Sequence, residues 1–246
     1  MKNLCTKTIK TEYSDVDKNL SLSLFSATNF VQNIMTDLFE NIGVTNVFLK
    51  RNYNAAWVIS KLKIHFLQYP LMNDIVTASA FVTSNSKVRL NIESNFSNQN
   101  GTTLFLAKQE ICPMDLKTRK VRKLETINYP FDLKPHESLF KNNFSKLKLD
   151  IDSFDSFTNY TVLSTDIDFT NHVNNASYVR FILNTFKSDF FDNYFVKDFD
   201  IQYINECHEG DCLKIYKKHV DDNFYFVITN NDKVIIMANM VTCPRS

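Results

Sequence analysis

Leu24, Ala27, Val31, Ile34, Met35, Leu38 and Ile42 recur at spacings of three and four, which gives a helix one broad apolar face. Ser21 or Ser23 can cap its start, and Gly43 closes it. The period then changes from helical to alternating. Segments 55–67, 74–83, 88–96 and 103–112 are rich in β-branched and aromatic residues, with the breaks SNSK and SNQNG among them, and read as strands. A helix followed by an antiparallel sheet is an α+β unit.

The same order returns further on. Asn174 or Asn175 can cap a second helix with Tyr178, Val179, Ile182, Leu183, Phe186 and Phe190 on one face, and strands follow at 199–205, 211–220, 223–229 and 234–242. The two halves align in register. Residues 63–74 lie over 200–211, and Ser14-Asp-Val-Asp17 lies over Thr165-Asp-Ile-Asp168. This predicts two copies of one fold, residues 1–127 and 158–246, joined by a polar linker at 128–157 that contains Pro130 and Pro135.

Composition narrows the chemistry. Gly43, Gly101 and Gly210 are the only glycines among 246 residues, so the clustered glycines of a phosphate loop or a dinucleotide fingerprint are absent. Lys and Arg number 28 against 27 Asp and Glu, leaving a net charge of +1, which gives no overall attraction to nucleic acid or an anionic membrane. No apolar run approaches the roughly 20 residues of a membrane span. Five cysteines without a CxxC pair, and no apolar core in MKNLCTKTIK, lead us to expect a reduced, cytoplasmic protein.

The densest polar cluster, Asp166-Ile-Asp-Phe-Thr-Asn-His-Val-Asn-Asn-Ala-Ser-Tyr178, enters the second helix. It sets Asp168, His172 and several Asn beside free backbone N–H groups that can hold a carbonyl oxygen becoming negative. Capping alone would need fewer polar residues. A second cluster, Asn205-Glu-Cys-His-Glu-Gly-Asp211, offers Glu206 as a general base and Cys207 as a nucleophile. Strand alternation would put these two on opposite faces, with His208 on the side of Glu206. Cys207, His208 and Cys212 lack the paired spacing of a zinc site, so no metal is expected. In the register of the repeat, His172, Glu206 and Cys207 correspond to Ser21, Tyr69 and Pro70, so one active site is expected, in the second half.

The His-Val-Asn-Asn run, the Tyr-Ile-Asn-Glu-Cys strand end, Met114-Asp-Leu-Lys-Thr-Arg-Lys120, Trp57-Val-Ile-Ser-Lys-Leu-Lys-Ile and Tyr69-Pro-Leu together resemble the acyl-ACP thioesterases of bacteria and plant plastids. The resemblance implies a tandem double hotdog, two helices each wrapped by an antiparallel sheet. It also implies cofactor-free hydrolysis of the thioester between a fatty acyl chain and acyl carrier protein. The family motif of Asp, any, Asn, any, His, with Glu and Cys from a later strand, maps onto Asp168, His172, Glu206 and Cys207. Thr170 stands where the family has Asn. Asn174 and Asn175 are expected to border the substrate.

The run Lys117-Thr-Arg-Lys-Val-Arg-Lys123 carries five cations without interleaved aromatics, so Lys117, Arg119, Lys120 and Arg122 fit docking of an acidic carrier protein better than nucleic acid. The apolar face of the first helix, with Phe25 and Phe30, can line an acyl tunnel, and a plain helix-on-sheet core would show the same stripe. An acyl-CoA thioesterase is the nearest alternative, and Thr170 keeps open a non-hydrolytic acyl-ACP-binding protein. A hotdog dehydratase fits the Asp168, His172 and Glu206 spacing less well. A homodimer is the one self-association this reading allows.

Overall fold

Ser23 starts the first helix with its own side chain, whose Oγ accepts from Ser26 N at 3.0 Å. Helix α1 (Leu24–Ile42) then runs to Gly43, whose φ of 85° is a left-handed cap that glycine adopts without a Cβ penalty. The computed structural model describes residues 3–154, 156–231 and 233–245. The chain divides into two compact units, Met1–Asn143 and Phe144–Ser246.

In the first unit, α1 and a short α2 (Asn46–Tyr53) accompany five strands: β1 (Leu4–Lys10), β2 (Ala55–Phe66), β3 (Ile75–Asn85), β4 (Leu90–Ser97) and β5 (Thr103–Asp115). The strands pair antiparallel in the order β1-β3-β4-β5-β2. Helix α1 packs against β1, β3 and β4 and buries Ala27, Val31, Ile34, Leu38 and Phe39. Phe39 stacks on Trp57 with ring centroids 4.8 Å apart, while Trp57 Nε1 donates to Val44 O at 2.7 Å. Burial of this apolar stripe is the main drive for the helix to lie on the sheet. The segment after β5 is irregular and is tied to this unit. Asn3 Nδ2 donates to Lys134 O at 2.6 Å, and the buried Glu93 carboxylate accepts from Ser138 Oγ at 2.7 Å and Leu139 N at 2.6 Å.

The second unit repeats the plan with β6 (Phe157–Thr161), α3 (Asn175–Leu183), a short α4 (Phe190–Asn193), β7 (Tyr194–Tyr203), β8 (Cys212–Val220), β9 (Asn223–Asn230) and β10 (Lys233–Pro244). Its antiparallel order, β6-β8-β9-β10-β7, is that of the first unit strand for strand. Each unit is a hotdog. The repeat extends to single main-chain bonds: Leu22 N to Pro70 O, Ser23 N to Asp15 O and Asp17 N to Ser21 O are answered by Val173 N to Cys207 O, Asn174 N to Asp166 O and Asp168 N to His172 O. Leu20 and Asn171 both take left-handed conformations at the matching turn, with φ of 60° and 65°.

Four details differ from the sequence reading. Strands β1 and β6 and helix α2 were not expected, because short segments with many polar positions carry little periodicity. The second helix stops at Leu183 instead of reaching Phe190. Thr185 Oγ1 turns back to Ile182 O at 2.8 Å, and Phe186 joins a separate aromatic cluster with Phe190 and Phe224.

The buried Asp166 carboxylate organises the entrance to α3 by accepting from Leu163 N at 2.8 Å, from Tyr160 OH at 2.9 Å and from Arg180 Nη2. Replacing it with alanine strands these donors. Asp166→Ala should lower the unfolding free energy by about 2–3 kcal/mol in urea titrations. A loss below about 0.5 kcal/mol would show that the carboxylate is a bystander.

Candidate active site

The turn before α3 is built around one carboxylate. Asp168 Oδ1 accepts from Thr170 N at 2.7 Å and from Thr170 Oγ1 at 2.6 Å. Asn171 N returns to Asp168 O at 3.0 Å, and the left-handed Asn171 reverses the chain so that His172 follows directly. Thr170 Oγ1 lies 3.2 Å from His172 Nδ1, and His172 Nε2 lies 3.2 Å from Glu206 Oε2. Asp168, Thr170, His172 and Glu206 therefore form one continuous line of polar contacts. The His172 side chain is 17% exposed and that of Glu206 36%, so the line runs from a half-buried turn out to solvent.

A hydroxyl has one proton to give. The 2.6 Å contact to a carboxylate oxygen that already accepts from Thr170 N assigns that proton to Asp168. The Thr170 oxygen then accepts from His172 Nδ1–H, which leaves Nε2 facing Glu206. A proton on Nε2 would point straight at Glu206 Oε2, 3.2 Å away.

Glu206 reaches this place because β7 ends early. The strand stops at Tyr203, and the amides of Ile204 and Asn205 both donate to Ile235 O, at 2.9 and 3.1 Å. The alternation expected from the sequence survives in burial, with Cys207 inside and Glu206 and His208 exposed. Cys207 does not join the polar line. Burial pushes its thiol up to about 11, with the neighbouring Tyr178 hydroxyl pulling the other way. Its carbonyl does the connecting, accepting from Val173 N at 3.0 Å and so tying the Glu206 loop to the His172 turn.

Of the other expected residues, Asn174 caps α3 through Oδ1 on Ala176 N at 2.9 Å, and Asn175 O accepts from Tyr203 OH at 3.3 Å. Lys117, Arg119, Lys120 and Arg122 sit on one turn of the first unit, held by Asp115 Oδ1 on Lys117 N and Thr118 N. Lys117 and Lys120 are exposed. Arg122 is not a free docking cation: its Nη1 donates to Tyr53 O at 2.5 Å and lies 3.8 Å from Asp115 Oδ2. His208 was read only as a weak metal ligand, yet its ring centre is 4.8 Å from that of His172. The signal for it was its position two residues after Glu206 on the same side of the alternation.

Residues 2–127 match the family described as acyl-ACP thioesterase N-terminal domain, and residues 148–241 match the acyl-ACP thioesterase C-terminal domain. The chain belongs to the acyl-ACP thioesterase family. A chloroplastic acyl-[acyl-carrier-protein] hydrolase of Cuphea viscosissima is 25% identical over 185 residues, covering 72% of this chain and 44% of that protein. The chloroplastic oleoyl-acyl carrier protein thioesterase 2 of Arabidopsis thaliana is 20% identical over 215 residues, covering 81% and 58%. The chain thus spans about half the length of these curated relatives. Among solved structures, an acyl-ACP thioesterase from Bacteroides thetaiotaomicron superposes with a TM-score of 0.87 at 20% identity, covering 98% of both chains. The 12:0-ACP thioesterase from Umbellularia californica does so at 0.84 and 16%, again covering 98% of both. These likenesses establish the double hotdog. No helix among the described residues is long and apolar enough to cross a membrane.

Thr170 stands where the resemblance leads us to expect Asn. An Asn at that position can accept from an imidazole and still donate twice, whereas Thr170 gives its one proton to Asp168. Imidazole ¹⁵N spectra should show the neutral His172 ring protonated on Nδ1. Thr170→Val should remove that preference and Thr170→Ser should keep it. A neutral ring protonated on Nε2 in the wild type would contradict the assignment.

Proposed function

We propose that this chain hydrolyses the thioester between a fatty acyl group and acyl carrier protein, with all side-chain chemistry supplied by the second unit. The observation that carries this reading is the unbroken line from Asp168 through Thr170 and His172 to Glu206, in a chain of this family. Glu206 takes a proton from water as the water oxygen bonds to the thioester carbon. The negative charge that gathers on the carbonyl oxygen is met by His172 Nε2–H and by the positive end of the α3 dipole. Collapse of the tetrahedral intermediate breaks the C–S bond. The sulfur takes the proton from Glu206, so the products are a fatty acid and the carrier thiol.

Thr170 and Asp168 act on His172 rather than on the substrate. Asp168 orders the hydroxyl, the hydroxyl orders the ring, and the Nδ1 proton cannot be lost without breaking that order. Cys207 is a structural residue in this account. A buried thiol with a raised pKa is a poor nucleophile at neutral pH.

The first unit keeps the hotdog frame without the reacting groups, and we assign it the acyl chain. Its cationic turn, through exposed Lys117 and Lys120, is suited to an acidic carrier. The observation that favours a second reading is Thr170, which leaves no spare donor for the carbonyl; tight acyl-ACP binding without release of fatty acid would establish a binding protein instead.

Two measurements check these roles. In acyl-ACP hydrolysis assays, Glu206→Ala should lower kcat by about a hundredfold or more, while Cys207→Ala keeps most of the activity. The reverse pattern would transfer the chemistry to the thiol. Charge reversal at Lys117 and Lys120 together should raise KM for acyl-ACP at low salt, with kcat little changed and the difference fading as salt rises. An unchanged KM would remove this turn from the docking surface.

A further inference from the structure

Gln109 is fully buried on β5, and neither its Oε1 nor its Nε2 has a hydrogen-bond partner. Ser94, buried on the adjoining strand β4, also has an unpartnered hydroxyl. Native interiors rarely leave both ends of an amide unmet, because each stranded group carries its full desolvation cost. Asn91 Oδ1 and Asn95 Oδ1, which also lack partners, lie on the other face of β4 from Ser94. Glu93 and Lys108, each one residue away in sequence and therefore on the opposite face of the sheet, pair at 3.2 Å. On α1, Thr28 Oγ1 bonds Leu24 O at 2.9 Å.

The second unit serves as an internal control. In the first unit Gln109 lies between Leu62 and Ile92, and the next row of the same face reads Ile64, Ala107, Ser94, Ala80. The matching rows of the second unit are Phe199, Met240, Phe224 and Ile201, Ala238, Phe226, Lys217. The fold accepts Met where the first unit has Gln109, and a phenyl ring where it has Ser94. Nothing in the hotdog frame calls for a polar pair there. Ser94 in place of a phenylalanine, beside Ala80 and Ala107, also makes the side chains of that row smaller than those of its counterpart.

We propose that Gln109 and Ser94 form a subsite, inside the first unit, for a hydroxyl group carried by the acyl chain. This rests on assigning the acyl chain to that unit. A hydroxyl suits the pair because it donates to Gln109 Oε1 and accepts from Ser94 Oγ or Gln109 Nε2. A keto oxygen leaves Oε1 unmet. A carboxylate would sit without a counter-charge among Leu62, Ile64, Ile92, Ala80 and Ala107, all buried. Water offers the same chemistry as an alcohol, so the competing occupant is a resident water.

Calorimetric binding of free fatty acids to the full chain separates these occupants. The series holds chain length constant and moves one hydroxyl along successive carbons, with the unsubstituted acid as reference. At least one isomer should bind tenfold or more tightly than the reference. That advantage should vanish in Gln109→Met, which copies the second unit, and shrink in Ser94→Ala. Equal binding of the reference and every isomer would overturn the proposal and assign the site to water, as would an advantage that survives Gln109→Met. Failure of every acid to bind would overturn the acyl-chain assignment with it. A positional advantage without any thioester hydrolysis would leave the subsite standing and the hydrolytic reading broken.

Discussion

One main-chain hydrogen bond, from Val173 N to Cys207 O at 3.0 Å, holds the active-site turn against the loop that follows β7. The two parts of the candidate line belong to segments more than thirty residues apart in sequence, and this bond supports the 3.2 Å contact from His172 Nε2 to Glu206 Oε2 that joins their side chains. A backbone bond is insensitive to side-chain identity. That accounts for its reappearance in the first unit as Leu22 N to Pro70 O, where a proline serves equally well as the acceptor. The frame is therefore older in logic than the chemistry it carries: the same scaffold bond sits beneath Ser21 and Tyr69 in one unit and beneath His172 and Glu206 in the other.

This separation of frame from chemistry lets the two units diverge. The second unit fills its interior with Phe199, Phe224, Phe226 and Met240, all buried, beneath a helix of 9 residues. The first has a helix of 19 residues and places Leu62, Ile92, Ser94 and Gln109 at the matching positions. One copy carries larger side chains at these positions and the candidate reacting groups at the turn before its helix. The other has smaller and partly polar side chains inside, in keeping with a role in holding a chain.

Most of this was readable from residue spacing. The apolar face of α1, its Ser23 and Gly43 caps, the four longer strands of each half and the register of the repeat all follow from periodicities that burial enforces. Asp168 and His172 could be named because so many polar residues at a helix start exceed what capping needs, Glu206 because a second polar cluster follows a strand, and Thr170 only through the family resemblance. The geometry among them could not be named. That a threonine hydroxyl bridges Asp168 and His172 depends on the left-handed turn at Asn171, a tertiary detail with no periodic signal. Cys207 was drawn toward the site by its neighbour and by family resemblance, and the structure buries its thiol while its carbonyl accepts from Val173 N. Arg122 was counted with a cationic run, although Tyr53 O occupies it. Gln109 gave no signal at all, because a polar residue in a strand reads as an outward-facing one until its surroundings are known.

The central proposal is that water, activated by Glu206 and guided by a His172 ring whose Nδ1 proton Thr170 holds, attacks the acyl-ACP thioester directly. Mass spectrometry of a reaction stopped during turnover tests this most directly. Direct attack predicts free fatty acid and carrier thiol in equal amounts, with the chain itself at its unmodified mass throughout. An acyl adduct on the chain, or acyl-ACP recovered intact, would contradict it.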